Sequence, residues 1–452
     1  MTVEWLLNGA EVDQRTMQWR IQKMKTKPTT ATPTRAGEFD PEFNGGEILF
    51  LPGADAVDVA IDSQDRIYIV GGTALWTNGE YIISALNHDG TNREDFNGGE
   101  PVRNSFMPGA MSLGEQVAVL PDGKVLILGA VELSNAKFGF ALARYLPNGK
   151  LDLSYGVNGH AVPVFDFGDV VIAKSDPNVG GNEPTYLDTG KYYLFLYAGR
   201  TYLSGFALTV GARKGVTLLM CLDEDGNLVQ TFGNGGGAVI EHPEHHVNAR
   251  SMLVVNDHIY LAGYVQARQR NYSAWARVRL DGRLDTRFGK GGFIFEMGAN
   301  YVGEGNFRAV ALKGDQKLLG VGTALDTRVT YHGMLESIDQ DGGRDVGFNG
   351  GEPVVTVIGP ESGWYDCAVQ PDGRIVTCGH TGADGENMLV ARYLPDGRLD
   401  TSFGDNEGWT QFRLKDKVYQ PALALDSNDD IVVTGRYFDD RNSIPFAFRL
   451  KG

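Results

Sequence analysis

Three of the chain's eight histidines fall within Glu241-His242-Pro243-Glu244-His245-His246. Imidazoles beside carboxylates suit zinc and other first-row metals, so His242, His245 and His246 are the candidate metal ligands. Their spacing fits no named motif, and the plainer reading is a solvated loop that titrates near neutral pH. Groups suited to recognition are more widely spread: Trp76, Tyr202, Tyr264, Arg268, Arg270, Tyr301, Trp364, Tyr365 and Arg436 fall in or beside the connections between apolar runs. Aromatic rings and guanidinium groups dominate binding hot spots, and the same rings could stack on sugars. The competing reading is that many of them wedge between structural units or pin their own loops. Signatures of catalysis are missing: the chain has no G-x-S-x-G elbow, P-loop or Rossmann fingerprint, and no cofactor is expected. Asp223–Gly226 and Asp339–Gly342 look like calcium loops but lack the twelve-residue pattern and its closing Glu.

The elements that must position these side chains come from a repeat. Seven times an aromatic residue is followed at once by Gly or Asn: Phe43-Asn44, Phe96-Asn97, Tyr155-Gly156, Phe232-Gly233, Phe288-Gly289, Phe348-Asn349 and Phe403-Gly404. Gly and Asn are the residues that most easily take a positive φ, so each pair marks a turn anchored by a ring. The clearest unit, 364–414, reads as four short strands, a to d: WYDCAVQ, a turn at Pro371-Asp372-Gly373, RIVTCG, a polar loop, MLVARYL, a second turn at Pro395-Asp396-Gly397, and WTQFRL. Asp-Gly between β-rich runs is a strong hairpin signal, and helical periodicity is absent. The third unit has about twenty extra residues between Phe165 and Tyr192, which obscures its strand a.

Radial repetition of four-stranded sheets gives a β-propeller. The last unit supplies strands a to c (422–426, 430–435, 445–450) and then the chain stops, whereas the first d-like segment, 45–51, has no a, b or c before it. Joined, they complete one blade. The expected fold is all-β, a seven-bladed β-propeller of four-stranded antiparallel blades closed by an N-terminal strand in the C-terminal blade. An Arg in strand c recurs with an Asp eight residues later: Arg144/Asp152, Arg277/Asp285 and Arg392/Asp400, with Ser337/Asp345 breaking the pattern. Arg449 runs out of chain, and its expected partner is Asp40.

The segments CAVQPDGRIVTCG…MLVARYLPDGRLDTSFG (367–404) and VAVLPDGKVLILG…FALARYLPNGKLDLSYG (117–156) resemble the bacterial delta-60 repeat, a family of propeller-like repeats. The resemblance covers about 39–452. It implies the fold and carries no general activity.

Residues 1–38 form an N-terminal arm with a Pro/Thr-rich linker ahead of a 39–452 propeller. A net charge of −16 argues against nucleic acid as the main partner. No apolar stretch is long enough for a membrane span, and the N-terminus lacks the apolar core of a secretory signal, so the default location is cytoplasmic, with signal-less export an open alternative. Three cysteines make no disulfide framework, although Cys367 and Cys378 should face each other across the Asp372-Gly373 turn as buried thiols or a bridge.

In a propeller the a–b and c–d turns share one face, here the short Asp-Gly turns. The long b–c and d–a loops share the other, where binding residues concentrate. The leading expectation is a non-enzymatic binding or scaffolding propeller that recognises a protein or glycan through this long-loop face. Two alternatives are a hydrolase or lyase acting on a carbohydrate or other polar substrate at the channel mouth, and a structural component docked into an assembly by its arm.

Overall fold

The computed structural model describes residues 34–73, 79–134, 137–168, 170–171, 192–209, 214–267, 270–295, 304–326, 330–383, 385–414, 416–439 and 442–452. Arg35–Gly452 forms one compact unit. Blade 1 comprises Asp58–Ile61, Ile67–Gly72, Tyr81–Leu86 and Val102–Asn104, and blade 2 comprises Ser112–Val119, Val125–Ser134, Lys137–Tyr145 and His160–Ala161. In blade 3, strand a is Tyr193–Tyr197, followed by Arg200–Thr209, Gly215–Leu222 and Gly237–Ile240, and an extra pair, Val170–Val171, joins the far end of strand b. Blade 4 is His246–Val255, His258–Ala267, Arg270–Arg279 and Phe293–Ile294; blade 5 is Gly305–Leu312, Leu318–Leu325, Tyr331–Ile338 and Val354–Thr356. Blade 6 is Ser362–Val369, Ile375–Thr381, Asn387–Tyr393 and Trp409–Arg413. Blade 7 takes Val418–Leu425, Ile431–Asp439 and Asn442–Leu450 from the C-terminus and Leu49–Phe50 from the N-terminus.

The seven-bladed ring expected from the repeat is therefore the observed one, and its closure is as expected: Leu49 pairs with Ala447 and Phe50 with Phe446. The Arg449 guanidinium meets the Asp40 carboxylate at 2.6 Å, both side chains fully buried. Closure also uses residues ahead of Asp40. Gly37 donates to the Lys451 carbonyl at 2.8 Å, and Lys451 donates to the Glu38 carbonyl at 2.9 Å. Residues 36–40 thus supply the far half of the c–d turn that blade 7 would otherwise lack.

The hydrophobic core is divided among the seven gaps between neighbouring blades. The gap between blades 7 and 1, for example, is filled by Phe43, Val59, Ile69, Val432 and Ala447. At each gap the repeated aromatic does a specific job. At five gaps the amide after it donates to a carbonyl in the next blade's c–d turn: Asn44 to Asp89, Asn97 to Asn148, Gly156 to Asp225, Gly233 to Asp281 and Asn349 to Asp396. That amide lies in the left-handed region, φ 46 at Asn44 and 55 at Gly404, which is why only Gly or Asn stands there. The ring itself lies against the next turn's glycine; a Cβ on Gly397 would come within 3.0 Å of the Phe348 ring.

A cation covers the ring from above. Arg144 lies 4.5 Å over Tyr155, Arg277 4.9 Å over Phe288, Arg392 4.9 Å over Phe403 and Arg449 5.5 Å over Phe43. Each of these arginines also bonds its Asp eight residues on, or Asp40 for Arg449. Arg144, Arg277 and Arg449 reach further, to the carbonyls of Glu224, Gln340 and His88 in the next blade. Blade 5, with Ser337 where blades 2, 4, 6 and 7 have Arg, recruits Lys313 from its a–b turn: Nζ is 2.8 Å from Asp345 and 5.0 Å over Phe348. The site is kept while the residue that fills it changes.

One local expectation needs correction. Cys367 pairs with Thr377, and Cys378 with Asp366, because the connection between strands a and b is longer than a two-residue turn and offsets the register by one. Such an offset places the two side chains on opposite faces of the hairpin, and both are free thiols.

Candidate functional site

Strand a is the innermost strand of each blade, and in five blades it carries a β-bulge. The register shifts lie between Gly114 and Gln116, Ala249 and Ser251, Phe307 and Ala309, Trp364 and Asp366, and Tyr419 and Ala422. The glycine that ends the apolar run of strand b permits the bulge. A Cβ on Gly379 would lie 1.8 Å from the Gly363 carbonyl oxygen, and on Gly263 2.0 Å from that of Asn248. A bulge re-aims a side chain without breaking the sheet. Here the re-aimed residues include Arg250, Arg308 and Tyr365, and they surround a solvent-open depression.

All seven blades line that space. Asp58, Gln116 and Tyr193 come from blades 1 to 3, Arg250 and Arg308 from blades 4 and 5, and Tyr365 with Asp366 from blade 6. Gln420 and Pro421 complete the circle from blade 7, Gln420 with a left-handed φ of 45. The bulges fall in the first half of strand a, so this is the mouth of the channel on the long-loop face.

Several lining side chains also tie neighbouring blades together. Asp58 Oδ2 accepts the Val117 N–H at 2.9 Å, Ser251 Oγ that of Val310 at 3.2 Å, and Asp366 Oδ2 that of Leu423 at 2.9 Å. Gln116 Oε1 accepts the Leu194 N–H in the same way. The basic groups also rest on aromatic rings. The Arg308 guanidinium lies 4.3 Å over Tyr365 and that of Arg250 5.2 Å over Tyr264. Behind Tyr365, at 5.4 Å, is the His380 ring. Burial first, then the nearby charges of Arg308 and Lys417, push His380 down to about 4, so its imidazole is neutral at neutral pH.

The residues singled out from sequence divide into three groups. Tyr365 lines the mouth, and Tyr264 supports Arg250 beside it. Arg436 is 3% exposed; it pairs with Asp55 of blade 1 and lies 5.6 Å over Tyr419, bracing the seam next to the mouth. Arg270 stands at the exposed start of strand c, 3.8 Å from Glu304. Trp364 and Tyr202 present no surface to a ligand: they are 0% and 1% exposed, wedged into the gaps between blades 5 and 6 and blades 3 and 4. Trp76, Arg268 and Tyr301 lie outside the described residues.

The three histidines do not converge. His242 and His245 stack at 4.7 Å, His242 Nδ1 accepts the Glu244 N–H, and His246 Nδ1 accepts the Gly215 N–H at 2.9 Å. Among the described residues no group of three or more His, Cys, Asp or Glu is placed to hold a metal ion. Sequence reasoning did not identify Asp58, Gln116, Tyr193, Arg250, Arg308 or Gln420 as a set. The available signal was the glycine ending each strand b, since Gly inside a strand often marks a bulge on its partner.

Two stretches of the chain, 120–155 and 370–403, match the model of a family described as a domain of unknown function (DUF5122) β-propeller. No curated protein matches. Among solved structures, the β-propeller domain of the Trilobed protease from Pyrococcus furiosus is similar at 9% identity and a TM-score of 0.41, with 89% of this chain and 94% of that one covered. The polysaccharide lyase Uly1 aligns at 8% identity and a TM-score of 0.41, over 93% and 98% of the two chains. Trypanosoma rangeli sialidase aligns at 9% and 0.41, over 80% of this chain and 56% of the sialidase. Identities this low speak to no shared activity. The chain is thus a seven-bladed β-propeller whose repeats are similar to those of the DUF5122 β-propeller family.

Proposed function

We propose that the protein is a non-enzymatic binding or scaffolding propeller that takes a protein or glycan ligand at the long-loop mouth of its channel. The supporting observation is that all seven blades bring their inner strands to this one mouth, where their side chains differ from blade to blade. A repeat kept for support alone has no need of such variety. Binding is favoured over hydrolysis by the carboxylates of the mouth: Asp58 and Asp366 each hold a neighbouring strand's N–H, which fixes them as structural acceptors.

A glycan array and a protein pull-down with the intact chain and with two variants test this reading. Arg308→Ala alters the mouth, whereas Arg398→Ala alters an exposed side chain in a short c–d turn, paired with Asp396 in that turn. Loss of captured ligand in the first variant alone is expected. Equal capture by all three proteins contradicts the assignment of the mouth.

A further inference from the structure

The lining of the mouth is uneven around the ring. Tyr193, Arg250, Arg308 and Tyr365 stand on four consecutive blades, 3 to 6. Two arginines therefore line the space from neighbouring blades, with a tyrosine from the blade on either side. The opposite arc holds Gln420, Asp58 and Gln116. Guanidinium forks match carboxylates in shape and charge, and a ring beneath each one limits its motion, so less freedom is lost when an anion binds. The remaining groups are hydrogen-bonding amides, hydroxyls and carboxylates, which suit a polyhydroxylated ring. Apolar lining is confined to small surfaces, Ala309, Pro421 and Ala422, which offer a peptide side chain no anchoring pocket.

We infer that the mouth binds an acidic oligosaccharide, with one sugar carboxylate held between Arg250 and Arg308 and hydroxyls met by the side-chain amide of Gln420 on the opposite arc. This rests on the reading of the mouth as a binding site and names its ligand class. The chain as a whole carries −16, so long-range attraction does not draw an anion in, and selectivity must come from contact at the arginine pair.

Titration calorimetry on the full chain tests the inference with four probes: tetragalacturonate, tetraguluronate, the methyl ester of tetragalacturonate, and tetraglutamate. At least one of the two uronates should bind, and for tetragalacturonate the ester should be at least tenfold weaker. Arg250→Gln and Arg308→Gln should each weaken uronate binding at least tenfold. The ester comparison needs no variant, so a variant that fails to fold leaves the test intact. An ester that binds as tightly as the acid overturns the inference and leaves a glycan site standing. Binding of tetraglutamate alone overturns it in favour of an acidic peptide. Failure of both uronates overturns it as well, while the array and pull-down decide separately whether the mouth binds anything.

Discussion

The seams between blades and the mouth of the channel grow from the same repeat, yet they use it in opposite ways. At the seams the chemistry recurs: an aromatic ring, a left-handed amide and a covering cation, with Lys313 replacing Arg in blade 5 to keep the arrangement. At the mouth the backbone device recurs, a bulge facing a glycine, while its side chain changes from Arg to Tyr to Gln. The seams share one task, so their residues largely repeat. A single ligand seen from seven directions makes seven different demands.

That contrast can be broken in several places, beginning with the bulge found in five of the blades. Gly379→Val puts a branched side chain where even a Cβ lies 1.8 Å from a backbone oxygen. Urea unfolding should show a loss of more than about 4 kcal/mol, and a loss under about 1 kcal/mol would mean that the bulge is not fixed. Next comes closure. Arg449→Ala leaves the fully buried Asp40 with Lys451, 3.4 Å away, as its remaining cation, at a cost of about 3–5 kcal/mol. Arg398→Ala, at an exposed turn pair, should cost less than about 0.5 kcal/mol.

A smaller effect follows from the acids at the seams. The Arg287 side chain, its N–H and Arg277 hold Asp285 down at about 2, against the pull of burial. Burial pushes Asp345 up, but Lys313, Lys317 and Ser337 outweigh it and hold it well below its ordinary range. A depressed folded-state pKa means that the stabilisation is present above the unfolded value, about 3.9 for Asp, and drains away as pH falls through the folded value. Stability measured by denaturant titration should therefore drop between about pH 4 and 2, and Asp285→Asn should flatten part of that drop. The smallest effect is at the mouth: proton NMR should place the His380 midpoint near 4, and Arg308→Gln should raise it. A midpoint in the ordinary histidine range would contradict the described burial.

What the sequence made legible follows the same division. The aromatic-Gly/Asn pairs, the Asp-Gly turns and the Arg/Asp spacing carried the blade count, the closing strand and the Arg449–Asp40 pair, because each is a local pattern that recurs. Arg250 and Arg308 carried no such mark. They are far apart in the chain and meet only around the ring axis, and a bulge leaves no trace in the composition of its own strand. Trp364 and Tyr202 show the converse hazard. Large aromatics attract attention as contact residues, but in a propeller they are also what fills the gaps between blades.

The separation of support from recognition is tested most directly by measuring melting temperature and tetragalacturonate affinity together in two variants, Arg392→Gln at a seam and Arg308→Gln at the mouth. The seam variant should melt lower and bind as the parent does, while the mouth variant should melt as the parent does and bind at least tenfold more weakly. Two variants that shift both quantities in parallel would contradict it.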